Sequence, residues 1–237
     1  MLPKISKIYY FILFFLIISC GKITPKGNLE TKQIDLSEFL KAELDGNFRV
    51  FYVKSEKNFV TIETYKNIGD NLNIKVKDKT LYIKENRPTE AVDFYNITIY
   101  SKYDLNEISM SKLAEMNLSS EIKTDNFKLN LKNNAKFIGS IRSRKTEIDM
   151  TELSRANFTG SSKNVYIKMS DTTNLIAPYW NIKNLKIESK NQPYAEVNVQ
   201  DSITGDLQNT TKFLYYNDPI RAFKIGKNAK VNNQNLD

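Results

Sequence analysis

The chain has no histidine, one cysteine and only eight glycines in 237 residues. Without histidine there is no imidazole acid or base, no Ser-His or Cys-His nucleophile pair and no Cys/His zinc site. One cysteine cannot form an intramolecular disulfide. So few glycines leave no Gly-rich phosphate loop and no calcium-binding nonapeptide repeat. Catalysis, if any, is limited to carboxylate, Lys, Tyr or Ser chemistry. What remains is 41% hydrophobic and 26% charged residues, enough apolar side chains for a folded core rather than a disordered chain.

Residues 1–19 carry Lys4 and Lys7, then an apolar run from Ile8 to Ile18, then Ser19 before the sole cysteine, Cys20. The run is too short to span a bilayer, which takes about 20 residues, and has the build of an export signal. Ile17-Ile18-Ser19-Cys20 resembles a bacterial lipobox. The expectation is cleavage after Ser19, lipidation of Cys20, a tether over 20–31 and a single domain over 32–237. Gly21 follows Cys20, which resembles lipoproteins sorted to the outer membrane, with the periplasmic face favoured over the cell surface. Two or three acyl chains hold a protein stably where one holds it marginally. The net charge of +8 falls to +6 once the leader's two lysines are lost. Those charges are dispersed and the chain is exported, so nucleic acid is not an expected partner, and acidic glycans or lipid head groups fit better.

Residues 44–100 show strand alternation, for example Phe48, Val50 and Tyr52, or Ile97 and Ile99. The single helical turn is expected near Ser37 to Leu44. From about 104 to 219 a repeat takes over. Met110, Leu131, Met150, Met169, Ser189 and Leu207 are spaced by 21, 19, 19, 20 and 18 residues, each followed six positions later by Met116, Phe137, Ala156, Leu175, Ala195 and Phe213. A unit of this size cannot bury its own apolar face, whereas stacked units can. The reading is all-β, a right-handed parallel β-helix of about 20 residues per coil, preceded by short strands that form the first coils or a cap. Segment 220–237 is expected to cap the far end. Outward residues test the register: Glu107, Lys128, Glu147, Tyr166 and Lys186 form one stack, and Ser109, Asn130, Asp149, Lys168 and Glu188 the next. The corners use Asn and Asp, the residues that best tolerate left-handed backbone after Gly; the chain has 27 Asn.

Several segments resemble the head GIN domain family of "putative auto-transporter adhesins" of Bacteroidetes envelope lipoproteins. They are Leu44-Asp45-Gly46-Asn47-Phe48-Arg49-Val50-Phe51-Tyr52-Val53, Leu81-Tyr82-Ile83 and Tyr216-Asn217-Asp218-Pro219. The likeness runs from about 32 to 225. It implies a right-handed parallel β-helix and an adhesin role, and transfers no catalytic motif. The family's Ser-Gly-x-Ser corners are replaced here by Asn, Lys and Thr.

No catalytic residue, metal or cofactor is expected. Tyr166, Tyr179, Trp180, Tyr194 and Tyr216 are candidates for a platform on which sugar rings stack, while Trp180 and Tyr215 could instead fill the interior. Thr172 and Ser202 sit in Asp-Thr-Thr and Asp-Ser-Ile, which resemble O-glycosylation acceptors. Ile138, Ile176 and Leu214 form an outward aliphatic row that the opening segment or the tail is expected to cover. Function is expected to be binding or adhesion at the envelope, to a glycan or an envelope protein. A polysaccharide lyase or glycoside hydrolase on a β-helix, and a structural or signalling partner in a membrane complex, are the alternatives.

Overall fold

The computed structural model describes residues 21–235; the leader and Cys20 lie outside the described residues. The strands are β1 (Leu29–Asp35), β2 (Lys41–Gly46), β3 (Arg49–Lys54), β4 (Phe59–Tyr65), β5 (Leu72–Lys77), β6 (Thr80–Glu85), β7 (Tyr95–Ser101), β8 (Glu107–Lys112) and β9 (Glu115–Leu118). Then follow β10 (Ile122–Leu131), β11 (Lys136–Met150), β12 (Arg155–Asp171), β13 (Asn174–Asn191), β14 (Tyr194–Leu207), β15 (Lys212–Tyr216), β16 (Ile220–Ile225) and β17 (Lys230–Gln234). One helical turn, α1 (Lys66–Gly69), lies between β4 and β5.

From β8 onward the chain winds as a parallel β-solenoid of about seven turns, roughly 19 residues each. Leu131 pairs with Met110 on one side and Met150 on the other. The column continues through Met169, Ser189 and Leu207. A second column stacks Met116, Phe137, Ala156, Leu175, Ala195 and Phe213 on the next face. Both stacks of outward residues are in register as the sequence indicates: Glu147 lies beside Lys128 and Tyr166, and Lys168 beside Asp149 and Glu188. Glu107 ion-pairs with Lys41 at 3.0 Å and Lys128 at 3.5 Å, one on each neighbouring layer. Because a one-residue slip would turn every apolar side chain outward, burial fixes this register far more strongly than the exposed ion pairs do.

The corners show why Asn replaces Gly. Lys112, Asn133, Glu152, Asp171, Asn191 and Asn209 all have φ between 55° and 73°. These residues stand one above another at the turn after the first strand of each coil. Their side chains form a ladder: Asn209 Nδ2 donates to Asn191 Oδ1 at 3.1 Å, Asn191 Nδ2 to Asp171 Oδ1 at 2.7 Å, and Asn133 Nδ2 to Glu152. A side chain that bonds its neighbour offsets the left-handed strain that Gly would avoid. The bonds from Asn191, the Glu152 N–H and the Ser170 hydroxyl hold the Asp171 carboxyl below its ordinary pKa. A carboxyl depressed in the folded state stabilises above its unfolded pKa, about 3.9, and that contribution disappears as pH falls through the lower folded value. Asp171→Asn should therefore flatten the acid side of the stability profile below about pH 4, read as urea midpoints. An unchanged acid limb would show that the ladder does not depend on charge.

The opening segment departs from chain order. β2 lies between β6 and β8, and β3 between β7 and β9, all parallel. The chain thus lays down an inner layer, goes out to make the end layer and returns to the other side of the first. On the outer side of that end layer, β4 pairs antiparallel with β7, β1 with β4, and β5 with β6. The only described helix is α1, whose Ile68 is buried, so this end of the core has a lid. The turn expected near 37–44 is extended instead, because Leu36 and Leu40 give their N–H groups to the Asn58 and Lys79 carbonyls. The expected tether is also docked. Ile23 bridges Thr89, Lys26 N–H bonds Asn67, and Lys22 pairs with Glu90 at 2.9 Å. The tail does not cover the aliphatic row: β16 stacks on β14 and β17 on β15 as a last layer. Ile138 stays 44% exposed.

Candidate functional site

The second face of the solenoid gathers the aromatics. Tyr194 and Tyr216 both donate to one carboxylate, Glu196, at 3.0 and 2.6 Å. The outward register alternates Asn157, Ile176, Glu196 and Leu214 across neighbouring layers. Tyr179 stands beside them, 67% exposed. The Glu196 bond, burial and the Glu196 charge push the Tyr216 hydroxyl up to about 12, with smaller contributions from Tyr194 and Tyr179. The Tyr194 hydroxyl is raised likewise, by burial and its bond to Glu196, so these two phenols stay neutral donors across the physiological range.

A bulge explains Tyr179. Ala177 pairs with Val197 and Asn181 with Asn198, so Pro178, Tyr179 and Trp180 have no counterparts in β14. Asn198 Nδ2 anchors the bulge by donating to the Pro178 carbonyl at 3.1 Å. The bend reverses the alternation: Tyr179 swings out and Trp180 turns in. Trp180 is fully buried, its ring 4.7 Å from that of Phe158, which in turn lies 5.1 Å from Phe137. Trp180 is therefore a core residue and not part of a stacking platform. Tyr215 is buried likewise.

Tyr166 belongs elsewhere. It projects from the first face, donates to Glu188 at 2.8 Å and lies under the Lys186 ammonium. The same face holds an open groove of about 880 Å³ floored by Gly205 and bordered by Lys168, Lys190, Lys224, Asp149 and Asp206. Charges of both signs alternate there, so the groove has no single electrostatic preference. Of the residues expected to act together, the structure brings together Tyr179, Tyr194 and Tyr216. It adds Glu196 and Ile176. Glu196 was readable only as an interruption in an aliphatic row; its role as a shared acceptor depends on the 20-residue offset to Tyr216. Thr172 is exposed on a corner, while Ser202 lies within β14 and bonds Asn184 at 2.8 Å. Among the described residues no helix is long and apolar enough to cross a membrane.

The fold and this face define a β-solenoid that presents a flat, aromatic-edged surface rather than an enclosed pocket. The chain belongs to the family described as "Putative auto-transporter adhesin, head GIN domain", whose pattern matches residues 38–219. Adhesion or binding is the role associated with that family. Among solved structures, a "putative adhesin" from Bacteroides fragilis is similar with a TM-score of 0.78 at 20% identity, covering 90% of this chain and all of that one. A "putative lipid binding protein" from Parabacteroides distasonis gives 0.74 at 15% identity, with the same coverage. A "putative adhesin" from Parabacteroides merdae gives 0.68 at 17%, covering 90% of this chain and 99% of that one. At such identities the likeness is one of fold. No curated protein matches the sequence.

Proposed function

We propose that this protein is a lipid-anchored, non-enzymatic component of the bacterial envelope that binds a glycan through the second face of its solenoid. The anchor is Cys20 and the membrane is the outer one, on its periplasmic side. The observation that carries the binding reading is the trio Tyr179, Tyr194 and Tyr216, two of them fixed by one carboxylate. Ordered aromatic faces flanked by amide side chains suit sugar rings, which stack by their apolar faces and hydrogen-bond at their rims. Pre-ordering also lowers the entropic cost of binding. Thr172 is the better placed of the two O-glycosylation candidates, being exposed at a corner.

The test uses the full chain from its native membrane. Palmitate labelling and membrane sedimentation should both be lost in Cys20→Ser. On a glycan array the detergent-solubilised protein should retain particular glycans without cleaving them. Tyr179→Ala or Glu196→Ala should weaken that retention about fivefold to thirtyfold, the loss of a stacking contact or of its support being worth about 1–2 kcal/mol. Lys168→Ala, on the other face, should leave it unchanged. Turnover of a retained glycan, or binding indifferent to Tyr179 and Glu196, would overturn the reading.

A further inference from the structure

The two ends of the solenoid differ. One is closed by β1, β4, β5 and α1, whereas the other stops at β16 and β17 with nothing paired beyond them: among the described residues β16 pairs only with β14, and β17 only with β15. The β14 partners show which β16 side chains point inward. Arg221 lies over Ile203, Phe223 over Gly205 and Ile225 over Leu207. Ile225 is 54% exposed although it continues the core column, and Ile220 is 80% exposed. A solenoid end left this way presents both free main-chain groups and unburied interior side chains.

The free groups can be assigned. In a parallel ladder each residue directs its N–H and C=O to one side, and successive residues alternate. The Gly226 N–H bonds the Leu207 carbonyl at 2.7 Å. Even-numbered residues of β16 therefore face β14, and Arg221, Phe223 and Ile225 hold their main-chain groups toward the open side.

We propose that this edge receives an extended acidic segment of a partner protein, added as a further strand on β16. Charge selects the occupant. From Asp218 to Asn235 the last coil carries Arg221, Lys224, Lys227 and Lys230 against Asp218 alone. A second copy docking end to end would set these four cations against four more, so the charge disfavours self-association. An acidic strand meets them favourably. Arg221 gives specificity because it lies at an inward position, its guanidinium 2.9 Å from the Tyr215 hydroxyl and 3.4 Å from Asp218. The fitting pattern is an acid opposite Arg221, followed by apolar residues at the second and fourth positions after it to cover Phe223 and Ile225. Main-chain bonds supply the affinity in such strand addition and alternate side chains the selectivity.

The test is fluorescence anisotropy of the full chain in detergent with a labelled acetyl-Glu-Thr-Val-Thr-Val-Thr amide. Four comparisons decide. The Lys-led peptide should bind at least about tenfold more weakly, as should the acidic peptide toward Arg221→Glu. The same peptide with alternate backbone amides N-methylated should not bind. Arg221→Gln, checked for an unchanged melting temperature, should give an intermediate loss if the fold is intact. Absence of saturable binding up to millimolar peptide, or equal binding of the N-methylated form, would overturn the proposal. So would a concentration-dependent dimer in sedimentation that Ile220→Lys dissolves, since the edge would then belong to a second copy.

Discussion

Trp180→Ala should lower the stability of the solenoid by about 3–5 kcal/mol, while Tyr179→Ala, one residue away, should cost less than about 0.5 kcal/mol. The indole fills the interior against Phe158 and continues an aromatic stack through Phe137 to Phe127. Truncation leaves a cavity in the interior, and the pairing of Trp180 with Gly160 and of its neighbours Ala177 and Asn181 with β14 keeps the backbone from collapsing to fill it. The expected fall in melting temperature is on the order of 10 °C. Trp180→Phe separates packing from polarity. It retains a ring on Phe158 and removes an indole N–H that has no partner in its buried site, so its cost should be well below that of Ala. Urea unfolding with unchanged m-values checks all three variants. Equal effects at Trp180 and Tyr179 would refute the inward and outward assignment of the bulge.

Gly160→Ala should be nearly as damaging, for a backbone reason. Gly160 has φ +97° in the bend of β12, and a Cβ there would stand 2.4 Å from the Ile141 carbonyl oxygen of the layer below. That oxygen belongs to the main chain and cannot swing aside. The substitution adds the conformational cost of a side chain in a region only Gly enters freely, about 1–3 kcal/mol, to an overpacking cost of similar size. Gly69→Ala is the control. Its added Cβ would meet only a Thr64 methyl, at 3.6 Å, so the change should lie within about 0.5 kcal/mol. A Gly160→Ala chain as stable as the parent would mean that neighbouring layers can separate at this bend.

The repeat was legible because its chemistry is redundant. Leu131, Met150 and Met169 each sit among apolar partners, and the rows outside them, Lys128 beside Glu147 for instance, agree with the same frame. Two independent periodicities left one register. The corners were legible for a related reason, since Asn133, Asp171 and Asn191 stand where left-handed backbone is needed. For Trp180 the sequence offered both the platform and the interior, and the interior is where it lies. Period-two counting from the buried Ala177 would turn Tyr179 in and Trp180 out, and only the unpaired residues beginning at Pro178 invert that result. The layer order of the opening segment was equally hidden. β2 to β9 carry ordinary alternation but no fixed spacing, so nothing local tells β2 that its neighbours are β6 and β8. The helical turn fell at Lys66–Gly69 and not near Ser37 to Leu44, and the aromatic site divided because Tyr166 and Tyr194 occupy different faces of different coils.

That interleaving has a consequence for synthesis. As the chain leaves the ribosome, β2 and β3 come out before every strand they will lie between: the flank of β6 and β7 is complete at residue 101 and that of β8 and β9 only at residue 118. The later turns each find their template already in place. Leu44, Val50 and Tyr52 therefore wait, open on one side, until β8 and β9 arrive to pair with them. Holdase binding to arrested nascent chains should accordingly peak while that stretch is emerging and decline once β9 is out.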